Sequence, residues 1–328
     1  MKKFLSTLFF GTALFLSVSN PSFSTDFSKN YSDAVDSVVE IVGTVEENKN
    51  SSQVYATGFF FEDRFIITAN HTLWMGGVPK NLMVCGNEIP SICADKVKVV
   101  YQDTKHDIAI LEVLDEDWEN LVKYEHVKSS SITHELITAG EEIYGIGNRF
   151  GFLFHSYYGH ISMPYVLDHE DGGIHYIDAE LFKGDSGGPV FNTNNEVVGI
   201  AKEYLIPDKD SEHLEAITTN IQLLKAIKDW KKIGKSFNIL DGERVLWDYN
   251  HDIQLTLTSK LNTPFLDQFG IEKGDYDFYV TILGVNTIHL QKPEDMKIIL
   301  EQISVGDSVT IEWTRDDKKI SKTIIVKP

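Results

Sequence analysis

Gly184-Asp185-Ser186-Gly187-Gly188-Pro189 sets one serine among three glycines and a proline, and apolar residues follow at Val190, Phe191 and Val197-Val198-Gly199-Ile200. Glycine reaches backbone angles closed to other residues, so such a loop turns sharply and can aim its amides inward. A serine hydroxyl attacks a carbonyl only when a base takes its proton and N–H groups receive the charge developing on oxygen. The amides of Gly184 and Ser186, two residues apart on a tight loop, suit that oxyanion-binding role. The apolar runs beyond the loop read as buried strands. The loop acquires a catalytic meaning only if the rest of the chain supplies a base and a group to orient it.

Both are present upstream. Phe65-Ile66-Ile67-Thr68-Ala69-Asn70-His71 places a histidine just past an apolar strand. Imidazole titrates near neutrality and makes His71 a candidate general base. Asp107 directly precedes Ile108-Ala109-Ile110-Leu111. A carboxylate there can hold the second imidazole nitrogen and stabilise imidazolium during acyl transfer. Asp103 is a competing acid, but no apolar strand follows it directly. Taken singly, each reads as well as a structural residue at a strand end. The order His, Asp, Ser points to a catalytic triad.

The strand pattern agrees. Short β-rich runs at 57–61, 65–68, 97–100, 108–113, 143–147, 161–163 and 174–177 are separated by turn residues. Such spacing predicts antiparallel barrels rather than a parallel sheet. Residues 33–42 read as a helical turn running into a strand, and 46–52 as a polar loop. Over 221–233 the apolar period becomes helical, with lysines near the end and Gly234 as the stop. From 271 to 327 a second unit reads as a strand at 279–283, a helix at 293–303 opened by Pro293, and two strands around Asp316-Asp317.

Composition bounds the function. A chain of 328 residues has room for two domains, and its net charge of −19 disfavours nucleic acid and anionic membranes as partners. No internal apolar run is long enough to span a bilayer. Lys2 and Lys3, an apolar stretch over 4–18 and small residues flanking Phe23 in Ser22-Phe23-Ser24 read as a signal peptide over 1–24. The protein is therefore expected to be exported, to a periplasm or out of the cell. Cys85 and Cys93 are the only cysteines and, in an oxidising compartment, can close a local disulfide. His155, His160, His169, Glu170, Asp171 and His175 are too irregularly spaced for a compact ligand set and read as solvated loop residues. No metal or cofactor is expected.

These motifs resemble those of trypsin-fold serine endopeptidases, and among them the HtrA/Deg group. Gly58-Phe59-Phe60 and Ile67-Thr68-Ala69-Asn70-His71 are similar to the segment leading to that family's catalytic histidine. His106-Asp107-Ile108-Ala109-Ile110-Leu111 is similar to its aspartate segment, and Ala216-Ile217-Thr218-Thr219-Asn220 to its last barrel strand. Gly145-Ile146-Gly147-Asn148-Arg149-Phe150-Gly151 resembles its glycine-asparagine turn, with Arg149 where proline is usual. The resemblance implies two six-stranded antiparallel β-barrels over 25–235. It also implies His71 as base, Asp107 as orienter, Ser186 as nucleophile and an oxyanion hole from Gly184 and Ser186.

Asp185 departs from the asparagine usual in HtrA proteins. In trypsin-like zymogens that aspartate pairs with a newly cut amino terminus, and Glu40-Ile41-Val42-Gly43-Thr44 resembles an activation site, although the run also suits an ordinary first strand. Alignment on trypsin puts Glu180 near the base of the primary specificity pocket, where a carboxylate would favour Lys or Arg. Alternatively Glu180 turns to solvent or pairs with Lys202, beside Ala201 on the neighbouring strand.

The C-terminal residues 236–328 resemble an HtrA-type PDZ domain, a small α+β unit. Phe269-Gly270-Ile271-Glu272-Lys273-Gly274-Asp275, Lys292-Pro293-Glu294-Asp295-Met296 and Val305-Gly306-Asp307-Ser308-Val309 carry the likeness. PDZ domains add a peptide as an extra strand and hold its terminal carboxylate. The carboxylate-binding loop is expected within 241–259, where no convincing glycine-containing match occurs. The resemblance implies polypeptide substrates, a protein quality-control role, C-terminal peptides as ligands of the PDZ-like unit and a homotrimer. A peptide-binding chaperone or stress sensor with latent proteolysis, and a narrow-specificity processing protease, are the alternatives.

Overall fold

The computed structural model describes residues 27–47, 50–73, 80–87, 92–124, 127–151, 154–166, 173–202 and 215–236, and in the C-terminal part 246–248, 254–256, 279–280, 284–285, 288–289, 302–315 and 318–327. A short helix α1 (Phe27–Ala34) leads into β1 (Val38–Glu47), β2 (Asn50–Glu62), β3 (Phe65–Ala69), β4 (Lys80–Cys85), β5 (Cys93–Ala94), β6 (Val97–Asp103) and β7 (Ile108–Val113). After α2 (Asp115–Tyr124) come β8 (Glu142–Gly147), β9 (His155–Val166), β10 (Ile174–Ile177), β11 (Pro189–Asn192), β12 (Val197–Ile200) and β13 (Glu215–Thr218), then α3 (Asn220–Ile233).

The strands form two antiparallel sheets, β5-β4-β1-β2-β3-β7-β6 and β12-β11-β8-β9-β10-β13, curled as half-barrels. The expected pair of six-stranded barrels is met, with two-residue β5 added at the edge of the first sheet. Cys85 and Cys93 face each other across β4 and β5 and are joined by a disulfide.

Three apolar clusters explain the arrangement. One fills the first half-barrel with Val39, Ile41, Phe60, Ile66, Val84 and Leu111, and another the second with Ile143, Tyr157, Ile161, Val190, Val198 and Ile217. The third joins the sheets: Phe59, Ile67 and Ile108 meet Ile146, Phe191 and Ile200, and α3 adds Leu223 and Ala226. Phe59 and Phe191 are fully buried there, each contributing roughly 1.5–3 kcal/mol of apolar burial. This shared core fixes one sheet against the other.

One local expectation is corrected and another is met. Residues 46–52 are not simply a loop, because Glu46 pairs with Ser51 and Glu47 with Asn50 at the end of an unbroken β1–β2 ladder. Residues 33–42 run as expected from helix into strand: the end of α1, a helical turn at Val35–Ser37 and the start of β1.

In the C-terminal part, β14 (Leu246–Asp248), β15 (Gln254–Thr256) and β16 (Tyr279–Val280) form one sheet. β17 (Gly284–Val285) pairs with β18 (Ile288–His289), and β19 (Ser308–Arg315) with β20 (Lys318–Ile325). The expected hairpin around Asp316-Asp317 is therefore present, with its tip outside the described residues. Residues 1–24, expected to be a signal peptide, most of the helix expected over 293–303 and most of the segment 241–259 also lie outside them. Asp307, in the turn before β19, accepts bonds from Lys228 and Lys232 of α3 at 2.5 and 3.0 Å.

Candidate active site

The β3–β7 register brings His71 to Asp107. Ala69, the last residue of β3, lies opposite Ile108, the first of β7, so the residues just outside both ends are neighbours. The Asn70 amide continues the ladder by donating to the Asp107 carbonyl at 3.1 Å. His71 then meets the Asp107 carboxylate twice. Its backbone N–H donates to Oδ1 at 2.7 Å, and its Nδ1 lies 2.6 Å from Oδ2. With Nδ1–H committed to the carboxylate, Nε2 is the nitrogen left to accept a proton. Asp107 is 8% exposed and adopts φ 59°, a left-handed conformation that aspartate tolerates better than most residues.

Asp103 is occupied elsewhere. Its carboxylate accepts the His106 amide and lies 2.8 Å from His106 Nδ1, both side chains being buried. Burial opposes ionisation of Asp103, but the bonds and charge of His106 outweigh it and hold the carboxyl below its usual range. The competing acid thus braces the turn before Asp107.

Ser186 comes from the second sheet, on the loop that enters β11, and is half-exposed. Thr57 of β2 holds this loop from the first sheet. Its amide donates to the Ser186 carbonyl at 3.0 Å, and its hydroxyl to the Gly184 carbonyl at 2.7 Å. The Thr57 hydroxyl also accepts the Asn148 amide at 2.9 Å. Asn148 in turn donates through Nδ2 to Glu40 Oε1 at 2.6 Å. On the other side, Gly187 donates to the Ala201 carbonyl and Ala201 to the Gly188 carbonyl. Gly184 has φ 101°, and a Cβ there would run into the Asn148 carbonyl oxygen, so only glycine fits. Among the described residues, the amides of Gly184 and Ser186 donate to no backbone carbonyl. They are the two N–H groups the sequence singles out for an oxyanion.

Asp185 is 1% exposed. Its Oδ2 accepts the Phe182 amide at 2.8 Å and lies 3.6 Å from the Arg149 guanidinium, while its Oδ1 faces His155 Nε2 at 3.3 Å. Burial pushes its carboxyl up to about 6, against the pull of the Phe182 amide and Arg149, so it is ionised at neutral pH. The resemblance to an activation site at Glu40-Ile41 does not hold. Both residues are buried in the middle of β1, paired to Thr57 and Ala56, with no free amino terminus near Asp185 among the described residues.

Of the candidate specificity residues, Glu180 is exposed and its carbonyl accepts from Arg149 at 3.1 Å. Ala201 is fully buried in the second half-barrel core and acts on the serine loop through its backbone. Lys202 is buried, its amide donating to the Ala216 carbonyl. An acid absent from the sequence reading lies close by. Burial pushes the half-buried Glu215 of β13 up to about 7, against a bond from the Leu181 backbone and with added repulsion from Glu180 and Asp185.

The histidines read as solvated loop residues are partly strand residues. His155 and His160 lie on β9, and His175 is wholly buried on β10, where burial drives it down to about 3 and keeps it neutral. His169 and its acidic neighbours lie outside the described residues. Among the described residues no group of three or more His, Cys, Asp or Glu is placed to hold a metal ion. The contacts of Thr57, Glu40 and Arg149 have no local sequence signal, because they join distant segments.

Residues 56–200 match the family model described as a trypsin-like peptidase domain. The chain is 29% identical over 191 residues to a Rhizobium meliloti protein named "Probable periplasmic serine endoprotease DegP-like", covering 56% of this chain and 35% of that one. A Brucella suis protein of the same name is 26% identical over 284 residues, covering 81% of this chain and 51% of its own. The chain thus spans about half the length, or less, of these relatives. Among solved structures, the HtrA-type protease AlgW with a tripeptide superposes with TM-score 0.64 at 15% identity, over 92% of this chain and 96% of that one. Residues 56–200 thus carry a trypsin-like peptidase domain, and the relatives and the structural neighbour it resembles are serine proteases of the DegP-like and HtrA type.

Proposed function

We propose that this chain is an exported serine endopeptidase acting through His71, Asp107 and Ser186. The observation that carries the reading is the double hold of Asp107 on the backbone and ring of His71, at 2.7 and 2.6 Å. Ser186 Oγ attacks the scissile carbonyl while His71 Nε2 takes its proton. The Gly184 and Ser186 amides receive the oxyanion. Collapse of the tetrahedral intermediate breaks the C–N bond, His71 returns the proton to the leaving amine, and an acyl-enzyme remains. Water, deprotonated by His71, then releases the acid and restores Ser186.

The proposed substrates are unfolded or exposed polypeptides, as suits a quality-control protease. The peptide carried by the HtrA-type neighbour supports that substrate class. Names of the relatives support a periplasmic site of action, in keeping with a leader over 1–24. The proposed division is a catalytic unit over 25–235 and a PDZ-like unit over 236–328 that takes C-terminal peptides, with homotrimer assembly.

Digestion of unfolded casein by the purified protein beside its Ser186→Ala variant tests the reading. Cleavage is expected only with the unsubstituted serine. Equal cleavage by both would overturn the triad, and no cleavage by either would favour a peptide-binding chaperone or sensor.

A further inference from the structure

We propose that Arg149 is a positioning residue for the nucleophile loop, an internal cation that holds the Asp185 carboxylate and through it the backbone on either side of Ser186. The proposal rests on the reading of Ser186 as nucleophile.

Asp185 is a buried carboxylate directly before that serine, and a buried charge is costly unless it is paired and hydrogen-bonded. The only amino terminus the sequence suggested for it lies inside a continuous strand. Arg149 fills the need from the turn after β8. Its guanidinium reaches three points on the segment leading to Ser186: the Glu180 carbonyl at 3.1 Å, the Asp185 carboxylate at 3.6 Å and the face of Phe182, 3.6 Å from the ring centroid. The Phe150 amide adds a bond to the Lys183 carbonyl at 2.8 Å. The segment 148–150 is therefore laid along 180–185, with the arginine as its cross-link.

The carboxylate has little freedom in this site. A Cβ on Gly147 would run into Asp185 Oδ1, so glycine is required for the acid to tuck under β8. His155 accepts the Arg149 amide on Nδ1 at 3.3 Å, which puts its hydrogen on Nε2, facing Asp185 Oδ1. Burial and the neighbouring Arg149 charge drive His155 down to about 4, so it is neutral at pH 7 and Arg149 supplies the positive charge. Among the described residues, the other titratable groups that interact with Asp185 are Tyr157 on β9 and Glu215 on β13, and neither brings a cation.

Asp185 transmits this hold to the oxyanion site. Its Oδ2 takes the Phe182 amide, its own amide donates to the Phe182 carbonyl, and its carbonyl takes the Gly188 amide. The peptide between Asp185 and Ser186 carries the Ser186 N–H, so the orientation of that donor follows from where the aspartate is anchored. A shift of the acid moves an oxyanion donor, which acts on the charge that develops in the transition state. That effect belongs in kcat rather than KM.

A double-mutant cycle tests this directly. Arg149→Met keeps much of the packing on Phe182 and removes the charge, and Asp185→Asn removes the need for it. With a peptide substrate, R149M is expected to lower kcat at least about tenfold while changing KM less than about threefold. In the D185N background the same change is expected to move kcat less than about twofold. Without its cation Asp185 protonates at higher pH, so the ratio of R149M to parent kcat rises as pH falls from 8 to 5.5. Equal loss in both backgrounds, or no loss in either, would overturn the proposal.

Thermal melts of the four proteins read the ion pair independently of turnover. R149M is expected to lower Tm with Asp185 present and to leave it nearly unchanged in the D185N background. If R149M does not fold, Arg149→Lys, which keeps a charge but not the planar stack, takes its place, with kcat expected to fall below the parent when Asp185 is present and to change less than about twofold in the D185N background. A normal melting cycle in a protein whose Ser186→Ala variant is no less active than the parent would sink the triad reading and leave the ion pair standing. A flat melting cycle in an active enzyme would sink the role of Arg149 alone.

Discussion

Thr57 meets the nucleophile loop at two points, its amide on the Ser186 carbonyl and its hydroxyl on that of Gly184. Thr57→Val keeps the shape and removes the hydroxyl, leaving the buried Gly184 carbonyl and Asn148 amide without that partner. A loss of about 1–3 kcal/mol in stability is expected from such unsatisfied groups, measured by chemical denaturation, together with a fall in kcat. Unchanged values would mean that water replaces the hydroxyl and that Thr57 does not hold the loop. Glu215 gives a pH signature. Its folded carboxyl titrates near 7, above the ordinary value of 4.5, so between those pH values the folded state binds more protons than the unfolded. Stability from this group therefore falls as pH rises through that window. Glu215→Gln is expected to raise Tm at pH 8 and to leave it nearly unchanged at pH 4.5; a gain of the same size at both pH values would contradict the assignment. His71, Asp107 and Ser186 were legible because each sits beside an apolar strand in a recognisable order. Thr57, Arg149 and Glu215 were not, because their partners lie far away in the chain and only the docking of two segments brings them together.

At the scale of elements, α3 shows what local sequence can specify. Thr219 caps it: its hydroxyl accepts the Gln222 amide, and the Gln222 side chain accepts the Thr219 amide. The last turn carries Lys231 and Lys232, which suit the negative end of the helix dipole. Thr219→Ala is expected to cost about 0.5–2 kcal/mol, read as a lower denaturation midpoint with an unchanged slope. No shift would mean that the packing of Leu223 and Ala226 sets the start of α3 without the cap. The same signals stand in α2, where Asp115, Glu116 and Asp117 occupy the first turn and Lys123 the last, yet the helix was not expected from the sequence. Its apolar residues Trp118 and Leu121 are too few to declare a period by themselves, and they find a partner only in the first half-barrel core. Strand β9 was seen only around residues 161–163 because its residues alternate in burial with several exposed polar positions. Its length is imposed by pairing with β8 and β10 on its two sides.

Across the whole molecule, the proposed catalytic residues are divided between the sheets, with His71 and Asp107 just beyond the ends of β3 and β7 in one and Ser186 on the loop that enters β11 of the other. The shared core of Phe59, Ile146, Phe191 and their neighbours fixes the distance between them. Strand alternation made the two half-barrels legible, but not their mutual placement, which depends on side chains contributed by both. Asp307 ties the C-terminal part to the catalytic one through Lys228 and Lys232. Burial opposes its ionisation, but the bonds from Lys228, the Ser304 amide and Lys232 outweigh it and hold the carboxyl below its usual range. That pairing was invisible in the sequence, since 75 residues separate Lys232 from Asp307. The charge of −19 makes each such lysine contact notable, because most of the surface repels further acids.

The proposed chemistry turns on Ser186 being a nucleophile activated by His71. A fluorophosphonate probe, which reacts with activated serines, followed by mass mapping of the labelled peptide, tests it most directly. One label per chain is expected, on Ser186, absent from the Ser186→Ala variant and slowed by about 100-fold or more in His71→Ala. Labelling at another residue, or undiminished labelling without His71, would contradict it.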